Sequence, residues 1–353
     1  MSCIFKNRFG WTAGLLMYAV VTGFAEDRPG RCFREIGGSN YVMYDVADEY
    51  LKGGQGWFRP GVLRPVVGTF HLQEKEDISA QLKAMADSGQ RKISIMMWHD
   101  HLTPEQLAAG GVFGHVLASN GGVLLPQHEQ NLKELLALVQ ESGFNELIFR
   151  FAQQGSAWSQ EWKDWDEELY QENLNFIVFV RALVREALDG SGMRLRFDLG
   201  AELGGIESGR VTEYTKKLWA EYARRFGTED TFGFSIAAHP GRVARWIDVC
   251  DEVGVRPECY ALDLYNHIPQ WMPRMISEFY EAEIRSPKII VLETYWNDLQ
   301  VLEELQQVAD QFNLQYEFLM QWPWRRGSAH PHFSDVFDRP EYDVYLGSGP
   351  DGK

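Results

Sequence analysis

Short apolar runs alternate along the chain with longer segments whose apolar positions recur every three or four residues. GVLRPVVGTFH (61–71) reads as a first strand, and EDISAQLKAMADSG follows at helical period. KISIMMWHDH (92–101) is the second strand, with HEQNLKELLALVQESG as its helix. NELIFRFAQQ (145–154) is the third, before the helix ENLNFIVFVRALVREAL. MRLRFDLGAE (193–202) precedes VTEYTKKLWAEYARRFG, and TFGFSIAAH (231–239) precedes RVARWIDVCDEVG. ECYALDLYNH (258–267) leads to QWMPRMISEFYEAEI, KIIVLE (288–293) to DLQVLEELQQVADQF, and QYEFLMQWPW (315–324) is the eighth strand. Strands buried on both faces and separated by amphipathic helices predict a parallel sheet, and their number predicts an α/β fold closed as a (β/α)8 TIM barrel. An open doubly wound sheet normally carries a glycine-rich phosphate loop after its first strand, and GTFHLQEKED is not one.

The domain plan is a single barrel over 61–324, an N-terminal segment (26–60) capping its floor, and an irregular tail (325–353). Residues 1–25 stand apart. Lys6 and Arg8 precede an uncharged apolar stretch, Trp11 to Ala25, that ends in Gly23-Phe24-Ala25. This is the layout of a secretory signal peptide cut after Ala25, with an uncleaved anchor as the alternative. The expected location is therefore secreted or periplasmic, with no membrane association once the signal is removed.

The chain is acidic, with a formal charge of −16, or −18 once Lys6 and Arg8 leave with the signal. Such a surface argues against nucleic acid and anionic lipid as partners. Cys32, Cys250 and Cys259 remain after Cys3 is lost. One disulfide and one free thiol would fit an oxidising compartment, and the sequence leaves the pairing open.

In a barrel of this kind the chemistry sits at the C-terminal ends of the strands. Those ends are polar here: His71, Trp98-His99-Asp100-His101, Gln153-Gln154, Glu202, His239, Tyr265-Asn266-His267, Glu293 and Gln321-Trp322. Glu202 ends the fourth strand and Glu293 the seventh, on opposite sides of the mouth. A facing carboxyl pair, one acidic and one basic, is what hydrolysis of a glycosidic bond needs. Glu207 and Asp198 are the nearest competitors for the first role. Arg150 is unusual in a core strand and predicts either a buried ion pair or a contact to substrate.

With these residues in place the chain resembles clan A of the retaining glycoside hydrolases. The resemblance covers about residues 60–325 in architecture and is carried by Glu202 in DLGAELGG and Glu293 in IIVLETYWND. It implies an acid/base role for Glu202 and a nucleophilic role for Glu293. It also implies that Tyr265 in ALDLYNH orients the nucleophile and that Trp322 in FLMQWPW floors the sugar subsite. The clan carries an Asn directly before the acid/base Glu to bind the sugar 2-hydroxyl, whereas this chain has Ala201. Either Gln153 or His239 replaces it, or the substrate is unusual at its 2-position, or the activity is weak or lost. His71, Trp98, His99 and Trp296 complete the expected substrate contacts. The spacing of Trp158, Trp162 and Trp165 suits one packed helical face better than a stacking platform.

The expected partner is a polysaccharide or oligosaccharide, cleaved endo-wise without cofactor or metal. Two other classes compete. Histidines at several strand ends could bind a divalent metal for amide or ester hydrolysis, although His-x-His follows the second strand and no ligand set forms at matching strands. Ala201 keeps open a carbohydrate-binding barrel that has lost catalysis.

Overall fold

The computed structural model describes residues 32–41, 43–44, 64–102, 117–328, 337 and 339–347. The signal segment and most of the segment assigned to a cap lie outside the described residues. Eight barrel strands run in chain order: β1 (Gly38–Asn40), β2 (Lys92–His101), β3 (Glu146–Gln153), β4 (Arg194–Asp198), β5 (Ile236–Ala237), β6 (Tyr260–Asp263), β7 (Ile289–Glu293) and β8 (Met320–Gln321). Between them lie α1 (Lys75–Asp87), α2 (Pro126–Glu141), α3 (Glu167–Ala187), α4 (Gly209–Phe226), α5 (Arg242–Val253), α6 (Ile268–Glu281) and α7 (Leu299–Phe312).

The strands follow one another in a parallel ring, laddered in two groups. β1 pairs with both β8 and β2, β2 with β3, and β3 with β4. β6 pairs with both β5 and β7. Two single bridges join these groups, Phe197 to Thr231 and Val291 to Leu319. Inside the ring, Ile148, Ala261, Ile290, Leu292, Phe318 and Met320 belong to one buried cluster. The barrel floor is ionic: Glu146 pairs with Lys92 and with Arg196, all three buried.

The first strand is not where the hydrophobic pattern placed it. Within 61–71, Val66–Thr69 is a short helix and Phe70–Leu72 a single 3-10 turn, so His71 ends no barrel strand. Pro65 stands directly before that helix, a common helix-start signal. The true β1 lies in GGSN, inside the segment assigned to the cap. Glycine is depleted in strands, so this one is disguised, yet its glycines are required. A Cβ on Gly37 would lie 1.8 Å from the Leu319 carbonyl oxygen, and one on Gly38 would lie 1.8 Å from that of Lys92.

Cys32, Cys250 and Cys259 are all buried free thiols. Burial pushes the Cys32 thiol up to about 12 and that of Cys259 up to about 11, and raises Cys250 as well. The thiolate is the reactive form. The expected outcome is that a thiol-specific reagent leaves these three residues unmodified in the native protein and labels all three in denaturant. Peptide mapping reads this directly.

Candidate active site

Arg150 lies on β3 and its side chain is fully buried. Its guanidinium has five N–H donors, and five hydrogen bonds are made. Nε donates to Asp198 Oδ2 at 3.1 Å and Nη2 to Asp263 Oδ2 at 3.0 Å. Nη2 also donates to Ser235 Oγ at 3.1 Å, and Nη1 to Asn40 Oδ1 at 3.3 Å. Nη1 forms the fifth bond, an ion pair with Glu293 Oε1. Residues from β1, β4, β6 and β7, and the approach to β5, thus converge on one cation.

Glu293 ends β7 at 7% exposure, and Tyr265 donates its hydroxyl to Glu293 Oε2 at 2.7 Å. A register shift aims this side chain. Leu262 faces Val291, but the next residue, Asp263, faces Glu293, which leaves Leu292 as an extra residue on β7. Ile290 and Leu292 both point into the barrel cluster, so strict alternation would turn Glu293 toward the helices. The bulge returns it to the mouth, a role bulges often play beside functional sites.

Glu202 follows β4 in a turn, with a left-handed φ of 59° that is unusual for a non-glycine residue. Three contacts hold it there. The Glu202 backbone N–H donates to Ser235 Oγ at 2.8 Å, the same oxygen that Arg150 binds. Arg242 Nη2 donates to the Glu202 carbonyl at 2.9 Å. Gly205 then passes so close to α5 that a Cβ there would lie 1.8 Å from the Arg242 carbonyl oxygen.

Carboxyl oxygens of Glu202, Asp263 and Glu293 lie within 4.8 Å of one another. Glu202 is exposed at the mouth, but protein packed around its carboxyl raises its pKa to about 7. Glu293 adds to the rise, while Arg150 and Arg242 oppose it. Near neutral pH one carboxyl can therefore donate a proton while its neighbour is ion-paired with arginine, the division of labour that acid–nucleophile chemistry uses. Such an acidic group could attract a cation, but Arg150 already supplies a positive charge to Asp263 and Glu293.

The other expected site residues divide. Trp98 and Trp322 meet edge to face at 6.1 Å between ring centroids, and Trp322 is half-buried. His239 is exposed on the rim, 5.6 Å from the Trp271 ring, and His267 meets the same ring from 4.9 Å. His71 is exposed, ends no barrel strand and accepts from Asn131 Nδ2 on α2 at 2.9 Å. His99 is buried against α3, stacked on Phe176 at 4.2 Å and 3.2 Å from Asn173 Oδ1. Burial pushes its pKa down to about 3, so it is a neutral packing residue and not a substrate contact. Gln153 also faces outward, accepting from the Ser159 N–H and hydroxyl, so it does not replace the missing Asn. Trp296 is 3% exposed and packs on Phe337, which makes it wall and not platform. Trp162 is buried against Tyr214, but 155–165 forms turns and a 3-10 segment, not the expected helix.

His101 hydrogen-bonds Asn173 and Ser119 on the helix side with His99, so the histidines do not assemble a metal set among the described residues. Glu207 is an exposed residue beside Arg245, and Asp198 is occupied by Arg150, so neither competitor faces the cleft as Glu202 does. A cavity of about 1050 Å³ lies at the opposite face, lined by Cys32, Arg34, Arg285, Glu303 and Asp310 among others, away from this chemistry. Asn40, Ser235, Asp263, Arg242 and Trp271 were not singled out from the sequence.

No protein-family model and no curated protein matches the chain. Solved structures do match in fold. A trimodular GH5 subfamily 4 endoglucanase superposes with TM-score 0.53 at 12% identity over 89% of this chain and 60% of its own. An exo-β-1,4-mannosidase from Opitutaceae bacterium strain TAV5 gives 0.50 at 14% identity over 90% of this chain and 57% of its own. A GH5 subfamily 18 protein from Streptomyces cattleya, in complex with Manβ1-4GlcNAc, gives 0.50 at 10% identity, covering 89% and 78%. The chain spans about three-fifths of the first two. The fold is the (β/α)8 barrel of these glycoside hydrolases, as the clan A resemblance implied.

Two outcomes are expected. Arg150→Lys leaves several buried acceptors unpaired and should lower stability by about 3–5 kcal/mol in chemical denaturation. Because the fold disfavours ionised Glu202, Glu202→Gln should raise the melting temperature above neutral pH and have little effect well below pH 5.

Proposed function

We propose that this chain is a retaining glycoside hydrolase acting on a polysaccharide outside the cytoplasm, after removal of residues 1–25. The observation that carries this is the proximity of Glu202 and Glu293, with oxygens within 4.8 Å of one another. Retaining enzymes hold their two carboxyls about 5–5.5 Å apart, and inverting ones about 6.5–9.5 Å apart to admit a water.

Glu293 Oε attacks the anomeric carbon as Glu202 gives its proton to the departing glycosidic oxygen. A glycosyl ester on Glu293 and a free sugar hydroxyl result. Water then attacks the same carbon, Glu202 takes its proton, and Glu293 leaves as carboxylate. Tyr265 fixes the lone pairs of Glu293 by donating to Oε2. Trp322 supplies an apolar face for the sugar being cleaved. Trp271, flanked by His239 and His267 on the rim, is the candidate face for the leaving sugar. His239 is the remaining candidate for the task of the missing Asn. Two of the similar barrels carry β-1,4 links in their names, which makes β-1,4-linked hexosides the first substrates to assay. The aromatic residues around the mouth favour endo cleavage.

Turnover of a β-glycan panel should show an alkaline limb in kcat/KM near pH 7, where Glu202 loses its proton. Glu202→Gln should lower kcat on natural glycans by about 10²–10⁴-fold, with a smaller loss on aryl glycosides whose leaving group needs no proton. A 2-fluoroglycoside should add its sugar mass to the peptide containing Glu293. Labelling elsewhere, or product of inverted configuration, would sink the assignment, and binding without turnover would favour the inactive carbohydrate-binding barrel. N-terminal sequencing of the exported protein is expected to begin at Glu26.

A further inference from the structure

Close to the reacting pair the centre holds a carboxyl that the reaction above does not use. Asp263 ends β6 at 3% exposure, with an oxygen within 4.8 Å of Glu202 and of Glu293. Among the described residues the charged or titratable groups facing it are Arg150 from β3, Asp198 from β4, Glu202 from the loop after β4, Tyr265 beyond its own strand, and Glu293 from β7. Arg242, on α5, donates to the Glu202 carbonyl. With Glu202 protonated as the acid, three buried carboxyls, those of Asp198, Asp263 and Glu293, remain around one guanidinium. Leaving all three ionised is costly there.

The hydrogen-bond pattern shows where a second proton fits. Asp198 meets donors on both oxygens: Oδ1 accepts from the Ser235 N–H at 2.9 Å and the Gly200 N–H at 3.3 Å, and Oδ2 accepts from Arg150. Glu293 accepts from Arg150 on Oε1 and from Tyr265 on Oε2. Asp263 Oδ2 accepts from Arg150, but Oδ1 is sealed from solvent and meets no donor among the described residues. An oxygen with no donor facing it is the one that has room for a hydrogen.

We propose that Asp263 is a neutral carboxylic acid in the resting centre, carries its proton on Oδ1, and serves as a positioning residue for the Glu202–Glu293 pair. Burial raises its pKa most, and Glu293, Glu202 and Asp198 add to this against the pull of Arg150. Neutral Asp263 leaves the charge of Arg150 to Asp198 and Glu293. It also spares Glu202 a second anion, which would push its pKa still higher. The role rests on the glycosidase reading, whereas the protonation rests on the burial, charges and hydrogen bonds around Asp263.

Infrared spectroscopy of the full chain tests the protonation without any need for turnover. In Glu202→Gln at neutral pH, a protonated-carboxyl C=O stretch should persist, move on ¹³C-aspartate labelling and stay put on ¹³C-glutamate labelling. Its absence, or its movement with glutamate, overturns the proposal. No substitution at Asp263 is needed for this arm, so a variant that fails to fold cannot obscure it. Asp263→Asn should then abolish the band. Whatever its effect on the rate, it should leave the alkaline limb of kcat/KM at the wild-type pH. A limb displaced to lower pH would mean that the substitution had removed a negative charge, and the neutral assignment would be wrong. If no glycan is cleaved, the infrared result still decides the protonation.

Discussion

One buried guanidinium organises this molecule. Arg150 is buried where an unpaired charge would be prohibitive, so every donor must find an acceptor. Those acceptors come from Asn40, Asp198, Ser235, Asp263 and Glu293, which lie far apart in sequence. Satisfying Arg150 therefore places the nucleophile candidate and, through Ser235, the backbone of Glu202. The same contacts that make the charge tolerable set the geometry of the reacting groups. Stability and function are coupled at this residue, and the strained φ of Glu202 fits that view, since strain persists only where the surroundings over-determine it.

Much of this was legible in the chain. Strands two to eight could be read because buried parallel strands are apolar throughout and their helices are amphipathic. Glu293 stood out because a charge at the end of such a strand needs a reason. Arg150 was flagged on the same ground. β1 was not legible, because the close approach that demands glycine at 37 and 38 also removes the apolar signature of a strand.

The errors at the site have a simple physical origin. Strand ends were read as though every polar residue there faced the mouth, but side chains alternate. Arg150 points inward, so Gln153, three residues on, points outward, and His99 pairs with Gln153 and shares its side. Counting parity from the arginine would have removed both from the site. Parity fails for Glu293 only because of the bulge, and a one-residue bulge leaves no mark in the composition of IIVLE. Asp263 was hidden differently, since its significance lies in an oxygen that meets no donor among the described residues.

The position of β1 bears on how the protein is made. This three-residue strand is the seam between β8 and β2, so the ring cannot shut until the chain has been synthesised past residue 321. Until then the growing chain carries a sheet with an open edge, and such edges recruit other strands. A chain that crossed a membrane unfolded would meet this hazard only once, after arrival. Its assembly would then begin with both ends of the seam already present.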